Sequence, residues 1–279
     1  MIIGFFIFTA YPVITSLIYS FTDYNGLFYT KLGLENYQNM FDFSFSGLGK
    51  DVFKSFGVTF EWALISIPLG LVLSFMLALL ASKEVKGVGV YRLLFYMPTI
   101  IPSIAISFIW ADTFSSDGLA NQLLLSLGLP PSMWLEGEST ALWTLILTGV
   151  WGIGGNMIMW LASLRNIPPE LYEAASLDGA GYFTNLFRIT IPLCTPMIFY
   201  NLLNALIGAM QAFDVYAMVG HGPNDSLYFI SIRIYETAFG SGNEYGLACA
   251  MGWVMFAVIA VLTLIMFKTN NWVNYGEES

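Results

Sequence analysis

Asn201, Asn204, Gly208 and Gln211 recur every three or four residues in an otherwise apolar run, PMIFYNLLNALIGAMQAFDVYAMV. At about 100° per residue they fall within an arc of roughly 80°, and Asp214 lies roughly 60° further round. Amides on one helix face can bond across a helix–helix interface, or they can line a path for a polar solute. The residues alone leave both readings open. A second run, GVWGIGGNMIMW at 149–160, sets Gly149, Gly152, Asn156 and Trp160 at i, i+3, i+7 and i+11. Small residues there let helices approach closely. Alternatively, Asn156 with Trp151 or Trp160 offers a hydrogen bond beside a flat apolar surface. A solute with an apolar face and a hydroxyl rim would fit that pair, as would many others. A third group, Glu170 and Glu173, sits in PPELYEAASLDGAG at 168–181.

Other chemistry is missing. His221, in GHGP, is the only histidine, so neither a histidine metal site nor a catalytic triad is supported. The nearest approach to a phosphate-binding loop is SFSGLGKD at 44–51. It has Ser44 where the first glycine belongs and Asp51 where Ser or Thr belongs. Cys194 and Cys249 have no metal-ligand spacing and read as small buried hydrophobes. The expectation is no catalytic residue, no metal and no cofactor. Work against a gradient would draw its energy from a partner or an ion.

The elements that position these residues must be membrane helices. Of 279 residues, 57% are hydrophobic and only 10% are charged, against about 25% charged in soluble domains. The net charge of −9 argues against nucleic acid as a partner. Six runs reach the roughly 20 residues that a spanning helix needs. They fall at about 1–21, 57–82, 92–114, 140–164, 196–219 and 245–268. The fold class is therefore all-α, one membrane unit of six transmembrane helices over 1–279. With the chain starting inside, six cations (Lys83, Lys86, Arg92, Arg165, Arg188, Lys268) lie inside and four (Lys31, Lys50, Lys54, Arg233) outside. That places both termini in the cytoplasm. The pair of prolines in MPTIIPS predicts a kink in the third span.

The connection 165–195 is then cytoplasmic. Pro168 and Pro169 suit a helix start, Glu170 and Glu173 its dipole, and Gly179 a left-handed stop. Leu171, Ala174, Ala175 and Asp178 share one shallow face. So short a helix is not stable alone in water and must dock on something.

IPPELYEAASLDGAGYFTNLFRITIPL (167–193) closely resembles the EAA loop of permease subunits in binding-protein-dependent ABC importers. Glu173, Ala174, Ala175, Asp178, Gly179, Ala180, Ile189 and Pro192 match its pattern in order. YPVITSLIYSFTDYN (11–25), GLENYQNMF (33–41) and GGNMIMWLASLRNIPPELYEAA (154–175) look like carbohydrate importers of the maltose and glycerol-phosphate permease type. GHGPND at 220–225 departs from the usual Gly-Gly-Pro after Thr, at Val219 and His221. The resemblance implies a multi-pass protein of a bacterial-type cell (inner) membrane. Glu170, Glu173, Ala174, Ala175, Asp178 and Gly179 would form a coupling helix, docked on a cytoplasmic ABC ATPase dimer that uses the ATP. A second permease subunit, in relatives of this type usually a different chain, would complete the path, and an external solute-binding protein would deliver the solute. The solute path would draw on Trp151, Asn156, Trp160, Asn201, Asn204 and Gln211. Ala205 is plain alanine, so no particular sugar carries over. A non-sugar solute is the near alternative. An ion-coupled secondary transporter is the far one, since only Glu61, Asp112 and Asp214 approach membrane depth, all near outer ends.

Overall fold

Apolar runs of this length fold as helices because lipid leaves no partner for a free backbone N–H or C=O. The computed structural model describes residues 2–45, 47–83 and 86–273. Met1, where the first expected span begins, Ser46 of the phosphate-loop decoy and the C-terminal residues 274–279 lie outside them. Three continuous helices are long enough to cross: α1 (Ile2–Ser20), α3 (Gly49–Ser82) and α14 (Tyr245–Lys268). Three further candidate crossings are bent pairs, apolar enough to cross only when both halves are taken together. These are α4 (Val88–Ile100) with α5 (Ser103–Thr113) at 94°, α7 (Glu138–Val150) with α8 (Gly154–Arg165) at 49°, and α10 (Tyr182–Leu193) with α11 (Thr195–Met210) at 65°. Counting each bent pair as one crossing gives the six expected. Shorter helices lie between them: α2 (Glu35–Met40), α6 (Leu119–Ser126), α9 (Pro169–Leu177), α12 (Asp214–Val219) and α13 (Ile230–Phe239). Among the described residues the only strand-like pairing is one bridge, Thr22 to Leu32.

Each break has a local cause. Ile101 precedes Pro102 and is extended (φ −74°, ψ 133°), as a residue before proline tends to be. The predicted kink in MPTIIPS is therefore a near right angle. At the second break the chain turns through Trp151–Ile153, and α8 starts hard against α4. A side chain at Gly154 would place its Cβ 1.8 Å from the Phe95 carbonyl oxygen. Gly154, rather than Gly149 or Gly152, is thus the close-approach glycine. The third break falls at Cys194, which is fully buried and whose Sγ lies 3.5 Å from Ser163 Oγ. Two π-helical turns, Phe6–Ala10 and Leu186–Thr190, come directly before Tyr11-Pro12 and Ile191-Pro192. A wider turn relieves the clash between a proline ring and the carbonyl four residues back. Pro68 is carried inside α3 without a break.

The fifth crossing departs from expectation. It ends at Met210 instead of running to 219, and 214–219 form the separate helix α12. Ser103 Oγ donates to Asp214 Oδ1 (3.0 Å) and Ser107 Oγ to the Asp214 carbonyl (3.1 Å), which ties α12 to α5. Asp214 therefore does not continue the polar stripe. α3 also starts earlier than expected, at Gly49.

Packing has two centres. At one end Ala78, Ala81, Met157, Trp160, Ile167 and Cys194 join α3 and α8 to the start of α11. At the other end two clusters hold α13 and the segment before it: Val52, Ile230 and Met251 in one, Leu145, Val215 and Phe229 in the other. α14 runs antiparallel to α1, with Trp253 Nε1 donating to Ser16 Oγ at 3.3 Å. Large apolar side chains such as Leu64, Val72, Leu80, Val261 and Leu264 stay exposed along the crossings, as expected of helices whose solvent is lipid.

Candidate functional site

The EAA segment folds as α9, opened by Pro169 in its first turn. It closes with two reverse bonds: Gly179 N–H donates to the Ser176 carbonyl (3.1 Å) and Ala180 N–H to the Ala175 carbonyl (2.9 Å). Gly179 has φ +78°, a left-handed stop that a Cβ would strain. None of the nine residues of α9 is buried. Glu170, Glu173, Ala174, Asp178 and Gly179 are exposed and Ala175 is half-buried. Leu177 is 89% exposed, so the helix offers an apolar side chain to solvent at its tip. Its tie to the bundle is Tyr172, whose hydroxyl meets Thr190 Oγ1 at 2.9 Å, with Ile167 buried just upstream. The six residues expected to couple are therefore brought together on a protruding helix.

A cavity of about 320 Å³ opens between α3, α7, α8 and α11. Asn156 lines it with Trp62, Ser66, Gly149, Gly152 and Gly208. A Cβ on Gly149 or Gly208 would meet nothing within 4 Å, so these glycines leave space instead of closing an interface. Of the stripe on the fifth span, Gly208 reaches this cavity. Asn201 is buried and donates to its own helix, to the Met197 carbonyl at 2.9 Å. Asn204 is exposed and does the same, to the Tyr200 carbonyl at 2.8 Å. Gln211 is exposed at the end of α11. Trp151, at the bend, meets Trp110 edge-on, 5.7 Å between ring centres.

Trp160 lies below the cavity. α3 and α8 run side by side in the same direction, with 66–71 beside Asn156 and Ser74 and Phe75 beside Trp160. Trp160 Nε1 donates to Ser74 Oγ at 3.0 Å and the ring is 1% exposed. One helical turn past Asn156 is deeper in the core, so Trp160 is a packing residue in this conformation. Trp62 was not among the expected residues. Its indole N–H is buried without a partner at the cavity wall. No sequence signal singled it out: it follows Glu61 near the outer end of the second apolar run, where a tryptophan is ordinary at a membrane–water boundary.

The far end holds a polar cluster around the loop GHGPND. His221 Nε2 lies 2.8 Å from both Glu236 oxygens, and Nδ1 lies 3.4 Å from Asp225 Oδ1. Tyr228 donates to Glu236 at 2.7 Å and stacks on the His221 ring at 3.9 Å. Burial pushes the Glu236 carboxyl up, but hydrogen bonds from Tyr228, His221 and Tyr216 bring it below its usual value. Burial and the bond to Glu236 raise the Tyr228 phenol. Lys54 of α3 joins through Asp225 Oδ2 (3.7 Å) and the Asn224 carbonyl (2.8 Å). Among the described residues no group of three or more His, Cys, Asp or Glu is placed to hold a metal ion.

Residues 70–275 match the family described as binding-protein-dependent transport system inner membrane component. The chain is 39% identical to the probable ABC transporter permease protein YesP of Bacillus subtilis (strain 168), covering 98% of this chain and 89% of that protein. It is 30% identical to the diacetylchitobiose uptake system permease protein NgcF of Streptomyces coelicolor, over 98% of this chain and 80% of that one. It is also 30% identical to the arabinooligosaccharides transport system permease protein AraP of Bacillus subtilis, over 96% and 85%. Among solved structures, a bacterial ABC transporter that imports the acidic polysaccharide alginate superposes with a TM-score of 0.84. That match has 23% identity and covers 96% of this chain and 91% of that one, so it supports the fold.

Proposed function

The chain belongs to the binding-protein-dependent transport system inner membrane components, and from that premise we propose that the whole of it is one permease unit of an importer for a sugar or oligosaccharide. The observation that carries the reading is α9, a helix that presents Glu170, Glu173, Ala174 and Ala175, stops at Asp178-Gly179 and has none of its residues buried. A helix so short and so bare gains little from its own chain beyond the Tyr172 tie and leaves its face for a partner. An ABC ATPase dimer on the cytoplasmic side is the partner that fits, and it hydrolyses the ATP. Both termini then lie on the cytoplasmic side. A second permease subunit faces the cavity at Asn156, and an external binding protein delivers solute at the His221 end.

The carbohydrate reading rests on relatives named for oligosaccharide uptake. Asn156 and Trp62 supply an amide and an indole beside an open wall of glycine, chemistry suited to a hydroxylated ring. Motion follows from the joints. ATP-driven closure of the partner moves α9, and α10 passes that movement to α11. A pull-down on the tagged chain, followed by calorimetry of sugars against the recovered binding protein, tests the assignment. A binding protein that ignores sugars overturns the solute class. ATP hydrolysis by the purified chain alone overturns the division of labour.

A further inference from the structure

A second cavity, of about 400 Å³, opens where α3 and α8 end, beside α9 and α10. Leu79, Leu164 and Leu186 form an apolar wall, and Lys83 and Arg165 stand on its rim. Neither cation makes an ion pair among the described residues. The Ala81 carbonyl at the end of α3 is already taken by Arg92, whose Nε and Nη2 donate to it at 3.1 and 2.7 Å. Lys83 is therefore not spent on capping there. Asn185 lines the same cavity, and its Oδ1 is buried with no donor.

Three unmet needs meet in one place. Two cations without an ion pair among the described residues call for an anion. A bare buried amide oxygen calls for a hydroxyl. A leucine wall at the end of two membrane-crossing helices calls for hydrocarbon. We propose that this cavity binds an anionic glycerophospholipid with a free headgroup hydroxyl, of the phosphatidylglycerol type. Its phosphate sits at Lys83 and Arg165, its headgroup hydroxyl at Asn185, and its acyl chains leave along the leucines. Basic pockets between membrane helices hold anionic headgroups for this reason. Tyr172 of α9 and Thr190 of α10 also line the cavity. A lipid seated there braces the protruding helix against the bilayer. The inference requires only that α3 and α8 cross a membrane, whatever the solute.

Native mass spectrometry of the purified chain, with phosphatidylglycerol or phosphatidylcholine vesicles added, tests it. The wild-type chain retains phosphatidylglycerol in preference to phosphatidylcholine. Lys83→Gln and Arg165→Gln each lower that retention roughly fivefold, and together roughly 25-fold. The charge-preserving pair Lys83→Arg and Arg165→Lys keeps it, and Lys50→Gln, at the start of α3, leaves it unchanged. Asn185→Ala narrows the preference for phosphatidylglycerol over phosphatidic acid while the anion preference stays. Equal retention of the two vesicle lipids overturns the proposal. So does displacement of phosphatidylglycerol by millimolar inorganic phosphate, which marks a free-anion site, or full retention by the Gln pair when its melting temperature matches the wild type.

Discussion

At the scale of single residues, position along the helix decided roles that residue type left open. Asn156 and Trp160 are one turn apart, yet one lines a cavity and the other fills a core. Trp160→Ala is expected to cost about 3–5 kcal/mol, as other large-to-small core changes do. Chemical unfolding in detergent measures it. Asn156→Leu keeps the fold and lowers solute-stimulated uptake; unchanged uptake removes Asn156 from the path. Glu236 gives a pH test. Its carboxyl is held below its usual value, so its stabilisation is full above the ordinary carboxylate range and fades as pH falls through the lowered value. The melting temperature of the wild type should therefore exceed that of Glu236→Gln at neutral pH, and the gap should close in acid. The sequence singled out Asn156 as a solute-path candidate, and the structure places it on a cavity wall. The sequence did not mark Trp62 or the His221–Glu236 contact, because residues 15 apart in sequence and on different elements share no periodicity.

At the scale of elements, the apolar runs made six crossings legible, and the last one matches to the residue. The breaks were legible only where proline announced them, at Pro102. Nothing in Gln211-Ala212-Phe213 marks the end of α11. The serine bonds from α5 to Asp214 accompany that end, and tertiary contacts of this kind have no local signature. Helix α9 and its end were legible because the stop is local in origin, a glycine whose missing Cβ permits positive φ. Gly179→Val should strain that stop by about 1–2 kcal/mol and fray α9. It should weaken copurification of the ATPase while the chain stays in the membrane. Glu173→Lys should abolish uptake with membrane levels unchanged; wild-type uptake would remove Glu173 from coupling.

At the scale of the molecule, the acidic end and the basic end are held differently. The His221 end is knotted by hydrogen bonds among α3, the 220–229 segment and α13. The α9 end is held mainly by apolar packing around Trp160, with Tyr172 as its polar tie. On the proposed orientation, the end tied by hydrogen bonds suits a fixed rim for solute entry, and the end held by apolar packing suits movement. The burial of Cys194 at the 65° joint between α10 and α11 turns this contrast into a clock. A thiol sealed in a joint reacts with a maleimide only during the intervals when the joint is open. Cys249, half-buried in α14 away from any joint, reacts independently of them. On the proposed function the chain thus carries its own chronometer and its own reference, and the ratio of the two labelling rates should change when a partner is attached if the joint flexes.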